Sequence, residues 1–375
     1  MPPVTLMAAR GLGEPDVVAT ARKAVVVWSG AARGAEVVFA ATRLPGGRWS
    51  RPKNISAERQ RYNEPEGREP QVAITRRGEA IAMWTAHDER HATNSFIRTA
   101  TQPLGGSWSS PVGLPGSVEG EQPLVEVTPK GEAVAIWHAD YNEESGLEAA
   151  SRSVGGKWSA VKRLSHPGSI PRPQLAMTSK GEAVAIWRLE GEGRDLGLQV
   201  ATRKPGLPWK VRTFASSEAE GFSYPELATE PDGTAAAAWT RSNFPAREET
   251  VVVATHAPSG EWTQPAGLFG GELQLPKQMH AKLAVTSRGE WIAVWQSYGY
   301  APRGSTVEAS TRGRGQPWGA AVRLSGSRAA PEYGSQEQPS VAVAPNGEVF
   351  ALWQFYNGTR WVIQAATRRT SSDPR

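Results

Sequence analysis

Cysteine is absent from the 375 residues. Disulfides, thiolate metal centres and cysteine nucleophiles are thereby excluded, but the compartment is not fixed, because exported proteins can also lack cysteine. Also lacking is any stretch near the ~18 consecutive apolar residues of a spanning helix, and Met1-Pro2-Pro3-Val4 offers neither the charged nor the apolar part of a signal peptide. No membrane span is expected. Long helices have little room, since 39 Gly and 29 Pro interrupt the chain. What is present argues for a packed core: apolar residues make up 39% and Trp alone contributes 15, more than a disordered chain carries. Length alone suggests two domains, yet repeat architectures exceed the usual domain size as single units.

A repeat organises the chain. Seven apolar runs close on Trp28, Trp84, Trp137, Trp187, Trp239, Trp295 and Trp353, at intervals of about 54 residues. In the third unit, Gln122-Pro123-Leu124-Val125-Glu126-Val127 leads through Thr128-Pro129-Lys130-Gly131 into Glu132-Ala133-Val134-Ala135-Ile136-Trp137. A polar stretch then precedes Leu147-Glu148-Ala149-Ala150-Ser151-Arg152, a Gly-Gly turn, and Trp158-Ser159-Ala160-Val161-Lys162-Arg163-Leu164. Four short strands with no helical period between them are the pattern of a β-propeller blade. The fold class expected is all-β, a single seven-bladed β-propeller over residues 1–375 with four antiparallel strands per blade. Six blades carry Gly in the first turn (Gly78, Gly131, Gly181, Gly233, Gly289 and Gly347), as a hairpin needing positive φ does; blade one, with Ala21-Arg22-Lys23, does not.

The seventh unit stops after Val362-Ile363-Gln364-Ala365-Ala366-Thr367-Arg368 with no Trp-Ser strand behind it, while Pro3-Val4-Thr5-Leu6 matches Pro111-Val112-Gly113-Leu114 of the second. Residues 3–6 are therefore expected to complete blade seven with 339–368, leaving no open sheet edge between the chain ends.

Propeller connections alternate between two faces, and here the two sets differ in length. One face has the short Gly turns, where Arg43, Arg48, Arg76, Arg77, Lys157, Lys204 and Arg314 give a basic surplus; the other has long variable loops, with every Tyr in or bordering them and every His but His256. Long loops on a rigid scaffold are where binding residues usually lie, although Tyr also favours half-exposed loops for packing reasons alone. The basic turns lack interleaved stacking aromatics, so no nucleic acid partner is expected. Glu79, Glu132, Glu182, Glu290 and Glu348 open second strands opposite Gln102, Arg152, Arg203, Arg312 and Arg368, and in the fifth unit Thr234 and His256 replace both members. Cross-strand pairs within each hairpin are expected, structural in role.

The turn Thr42-Arg43-Leu44-Pro45-Gly46-Gly47-Arg48-Trp49 resembles a degenerate Asp-box, the Ser-x-Asp-x-Gly-x-x-Trp turn of sialidase-like propellers. Its frame recurs with Thr101, Ser151, Thr202, Thr255 and Thr311 leading and Trp108, Trp158, Trp209, Trp262 and Trp318 closing, and the Asp is missing throughout. In that family the box is a folding motif remote from the active site, so the resemblance implies architecture rather than chemistry. The family's active site needs three Arg, a Tyr beside a Glu and an acidic proton donor at the axial mouth, and these do not assemble from this sequence. Arg43-Leu44-Pro45 matches the family's Arg-Ile-Pro signature only in letters, being on the opposite face.

His87 and His91 imitate a metal-ligand spacing but fall in an expected loop, so neither a metal site nor a cofactor is assigned. Repeat alignment places Glu14, Glu69, Gln122, Arg172, Tyr224, His280 and Gln338 just before the innermost strands, ringing the axial opening on the long-loop face. Such a ring of unlike polar groups suits one asymmetric ligand, though a wet channel mouth would be polar in any case. With Tyr141 and Tyr298 of the long loops, these are the candidate ligand-binding residues. The function expected is a monomeric, non-catalytic binding module for a glycan or a protein partner, secreted if a signal segment preceded Met1. The alternative is a sialidase-like glycoside hydrolase, told apart by turnover on glycosides.

Overall fold

The computed structural model describes residues 15–32, 35–56, 69–87, 95–140, 145–165, 173–191, 194–215, 220–243, 248–258, 261–268, 277–298, 305–325, 336–343, 348–356 and 361–369. Every helix or strand among them is a strand, 27 in all. The alternating Val, Ala, Ile and Trp of the repeat runs fit a pleated, two-sidedly packed surface, which is why strands form where the sequence pattern put them. The chain divides into two compact units, the first Met1–Met177 with Lys204–Val211, the second Thr178–Arg203 with Arg212–Arg375.

The first unit contains three sheets of four antiparallel strands, each in sequential order. They are β1 (Asp16–Ala19), β2 (Ala24–Ala32), β3 (Ala35–Arg43) and β4 (Lys53–Asn54); β5 (Gln71–Ile74), β6 (Ala80–His87), β7 (Ser95–Gln102) and β8 (Val112–Val118); and β9 (Gly120–Val127), β10 (Ala133–Ala139), β11 (Gly146–Arg152) and β12 (Lys162–Arg163). Strand β13 (Gln174–Met177) ends this unit's main segment.

The hairpin β14 (Ala183–Gly191) to β15 (Arg194–Arg203) opens the second unit, and β16 (Lys210–Ala215) lies where the chain passes back into it. Two further sets follow: β17 (Glu220–Thr229), β18 (Ala235–Asn243), β19 (Glu248–His256) and β20 (Ala266–Gly267); and β21 (Lys277–Val285), β22 (Trp291–Tyr298), β23 (Ser305–Arg312) and β24 (Val322–Arg323). One parallel pair, Glu249 with Lys277, joins these sets edge to edge. The last sheet holds β25 (Gln336–Val343), β26 (Glu348–Tyr356) and β27 (Trp361–Arg369). Residues 3–6, expected to complete it, lie outside the described residues.

The hairpin turns repeat one device. Gly78 stands at φ 85°, donates its N–H to Thr75 O at 2.8 Å, and leaves only 2.9 Å between a built Cβ and Leu104 Cδ1, so glycine is required there twice over. Thr75, Thr128, Thr178 and Thr286 accept at Oγ1 from the N–H of Glu79, Glu132, Glu182 and Glu290 at 3.0–3.1 Å. At the next turn the residue after the closing Trp is used: the N–H of Thr42, Thr101, Ser151 and Thr255 donate to the hydroxyls of Ser50, Ser109, Ser159 and Thr263 at 2.9–3.1 Å.

The core lies between adjacent sheets, and the same positions build it each time. Val25, Val27, Val38, Ala40 and Ile55 of the first sheet pack against Ala80, Ala82, Trp84, Ala100 and Trp108 of the second. Small alanines on one wall make room for two indoles per interface. Opposite pairs bond several of these indoles in place: Trp137 Nε1 donates to Glu148, Trp187 to Gln199 and Trp353 to Gln364, at 2.9–3.1 Å.

Two of the Arg residues expected to pair within their hairpins, and the His of the fifth unit, instead reach a Glu of the neighbouring repeat. Arg152 donates to Glu79 at 2.9 Å and Arg368 to Glu290 at 2.9 Å, while His256 Nε2 stands 3.9 Å from Glu182. Geometry explains the shift: the Arg at the end of a third strand spends Nε on its own turn, as Arg152 does on Gly156 O at 3.0 Å, and its Nη groups are left facing the preceding sheet. Lys23 substitutes for the Glu in the first repeat and donates to Gln102 of the second, to Oε1 at 3.1 Å and to the carbonyl at 3.3 Å.

Candidate active site

Four of the innermost strands carry a bulge at the position singled out in their repeat. In β9 the register with β10 passes from Glu121–His138 to Leu124–Ile136, so Gln122 and Pro123 together face Trp137. Tyr224-Pro225 face Trp239, His280-Ala281 face Trp295, and Gln338-Pro339 face Trp353 in the same way. A proline cannot donate to a ladder, and a bulge is where an inner strand tolerates one. Proline is not the whole cause, because Ala281 leaves the bulge intact. Gln122 (φ 50°) and His280 (φ 54°) occupy the left-handed region within their bulges, and Glu69 (φ 39°) does so just ahead of β5. For non-glycine residues that is a conformation concentrated at functional sites.

These positions were expected before the strands; Gln122, Tyr224, His280 and Gln338 instead lie inside them, because each strand continues past its bulge. Glu69 and Gln122 belong to the first unit and His280 to the second. Tyr224, Tyr298 and Gln338 are placed as strand residues by their backbones, while Glu14, Tyr141 and Arg172 lie outside the described residues. So does His91, and among the described residues no three His, Asp or Glu gather as metal ligands do. No described helix is long and apolar enough to cross a membrane.

The first unit places two carboxyl groups on inner strands that pattern reading passed over. Strand β5 lies between β1 and β9 and touches both. Asp16, on β1, accepts from the Val72 N–H of β5 at 2.7 Å; burial pushes its carboxyl up, and the Val72 and Val17 amides pull it back towards the carboxylate form. Glu126, on β9, is pushed up to about 7, chiefly by burial, with the negative charge of Asp16 adding to the effect and the Val127 amide opposing it. Burial thus pushes both carboxyls up, Glu126 to about 7, and amides oppose it in both, Val72 and Val17 for Asp16 and Val127 for Glu126.

Across the ladder from Glu121, His138 is held below its usual range by burial, which outweighs the attraction of Asp140 and Glu121. Its Nε2 is buried without a hydrogen bond. In the second unit Lys282 donates to Glu226 at 2.9 Å; burial pushes Glu226 up and Lys282 counteracts it.

A signal for Glu126 was present in the sequence. Four residues beyond each bulge position the repeats read Val18, Ala73, Glu126, Ala176, Ala228, Ala284 and Ala342, so a single acid interrupts a column of small apolar residues.

No protein-family model matches the sequence, and neither does any curated protein. Solved structures do match in fold. The polysaccharide lyase Uly1 is similar at TM-score 0.58 and 10% identity, over 93% of this chain and 88% of that one. Puromycin hydrolase is similar at TM-score 0.51 and 17% identity, over 98% of this chain and 55% of that one. An α-L-arabinanase of Penicillium chrysogenum follows at TM-score 0.44 and 10% identity, over 81% and 94%. These similar structures are enzymes. The first two, at TM-scores above 0.5, run against the expectation of a non-catalytic binding module and the leaning away from catalysis.

Proposed function

We propose that this protein is a glycan-cleaving enzyme of glycoside hydrolase type, with Glu126 as general acid and Asp16 as the ionised carboxylate opposite it. What supports the reading is the placement of two carboxyls on β1 and β9, the strands flanking β5, with Asp16 bonded to the Val72 amide at 2.7 Å and Glu126 pushed up to about 7, chiefly by burial and further by the charge of Asp16. Hydrolysis of a glycosidic bond needs a division of roles: a protonated carboxyl gives its proton to the departing oxygen, while a carboxylate activates water or attacks the sugar carbon. Glu69, Gln122 and His138 supply hydrogen-bonding groups for hydroxyls. Similarity of fold to the polysaccharide lyase Uly1 supports a polymeric glycan, which is met outside the cell. In this reading the repeats form a seven-bladed propeller closed by residues 3–6.

Release of reducing ends from a panel of neutral and acidic polysaccharides tests the proposal. Wild-type protein should release them from at least one polymer, and Glu126→Gln and Asp16→Asn should each reduce the rate about 10²–10⁴-fold. No product from any polymer, or undiminished turnover in both variants, contradicts it. Products bearing an unsaturated uronate would replace hydrolysis by elimination.

A further inference from the structure

A cavity of about 340 Å³ opens in the second unit between the last two sheets, lined by Ile292, Val294, Ala309, Leu324, Ala351 and Ala366 among others. Its walls are mainly apolar, with Ser310, Thr311, Thr367 and Arg368 as the polar members. Ser310 spends its hydroxyl on Gly319 O at 2.7 Å, and Arg368 at the rim is engaged by Glu290 at 2.9 Å.

The repeat explains why the space is there. Register places Ala351 and Ala366 where the second sheet has Ala82 and Ala100, and Ala309 and Leu324 where the first has Ala40 and Ile55. In the first interface those four residues share a core cluster with Trp108. Trp158, Trp262 and Trp318 hold the same place in three other interfaces. Each of these Trp lies six residues past the end of its third-strand ladder, after Gln102, Arg152, His256 and Arg312; six past Arg368 the chain has Pro374, which lies outside the described residues. Among the described residues, the alanine walls that elsewhere accommodate an indole face none here.

We propose that this cavity binds a small uncharged planar aromatic molecule of one or two rings, in the place that an indole side chain takes in the other interfaces. Its size falls at the small end of ligand pockets, and a mainly apolar pocket walled by alanine and branched side chains accepts such rings. The site is independent of Glu126 and Asp16, which lie in the other unit.

Indole itself is the probe, titrated into the full chain while the melting temperature is followed. A saturable rise of roughly 3 °C or more at a hundredfold excess over Kd is expected. Ala366→Phe, which fills the cavity from within, should melt no lower than wild type and should lose the response. Should that variant fail to fold, Ala320→Trp closes the cavity from an exposed position and should lose the response equally. Absence of a saturable rise in wild type, or a response undiminished in the folded blocking variant, overturns the proposal.

Discussion

Arg152 joins two repeats: its Nη2 donates to Glu79 of the preceding sheet at 2.9 Å while its Nε holds the carbonyl of Gly156 in its own turn at 3.0 Å. Both side chains are mostly buried, at 12% and 21% exposure, so the pair is screened less than a surface contact. A double-mutant cycle should give a coupling of about 1 kcal/mol between Glu79 and Arg152 and a smaller one between Glu132 and Arg152. Arg152→Lys should lose most of the coupling, since an ammonium cannot serve both partners in that fork. Chemical denaturation of the variants measures it.

Gln122 holds a left-handed backbone inside an inner strand. Gln122→Gly should preserve or raise stability by removing the Cβ penalty, whereas Gln122→Val should lower it by about 1–2 kcal/mol. Urea midpoints of the two variants should fall on opposite sides of the wild type, or at least in that order.

Trp84 and Trp137 occupy equivalent places and are both fully buried, but only Trp137 bonds its indole N–H, to Glu148 at 3.1 Å; that of Trp84 is unpaired. Phenylalanine removes similar volume from each. Trp137→Phe should therefore destabilise by about 1 kcal/mol more than Trp84→Phe, measured by thermal or urea unfolding.

Strand order and turn chemistry were legible because the repeat exposes them: a Gly at one position and a Trp six residues past each ladder end recur often enough to fix local geometry. The bulges were not legible, since X-Pro before an apolar run reads equally as a strand beginning, and only the ladder register reveals that pairing resumes beyond it. The ion pairs were assigned to the wrong partner for a related reason. Sequence pattern puts Glu132 opposite Arg152, but the ladder pairs Ala133 with Arg152, and the guanidinium, with its Nε spent on its own turn, reaches the preceding sheet. Polar ring positions drew attention as a set, while the acid with the most altered environment, Glu126, stood alone in an apolar column. Its raised proton affinity arises from burial among chain-distant strands, which no local pattern encodes.

Glu126 also makes stability depend on pH with a definite sign. Its folded-state pKa lies above its unfolded one, so the folded protein binds more protons between about 4.5 and 7. The contribution is fully present below the lower value and is lost as pH rises through the upper one, by roughly 3 kcal/mol in total. Glu126→Gln should flatten that slope and should be more stable than wild type at pH 8, as unfolding midpoints across the range would record.

Carbon-13 NMR titration of glutamate side chains tests the acid most directly. Wild type should contain one carboxyl resonance titrating near pH 7 that is missing from Glu126→Gln and moves to lower pH in Asp16→Asn. A Glu126 resonance titrating near 4.5, or one indifferent to Asp16→Asn, would contradict the assignment of Glu126 as a proton donor tuned by its neighbour.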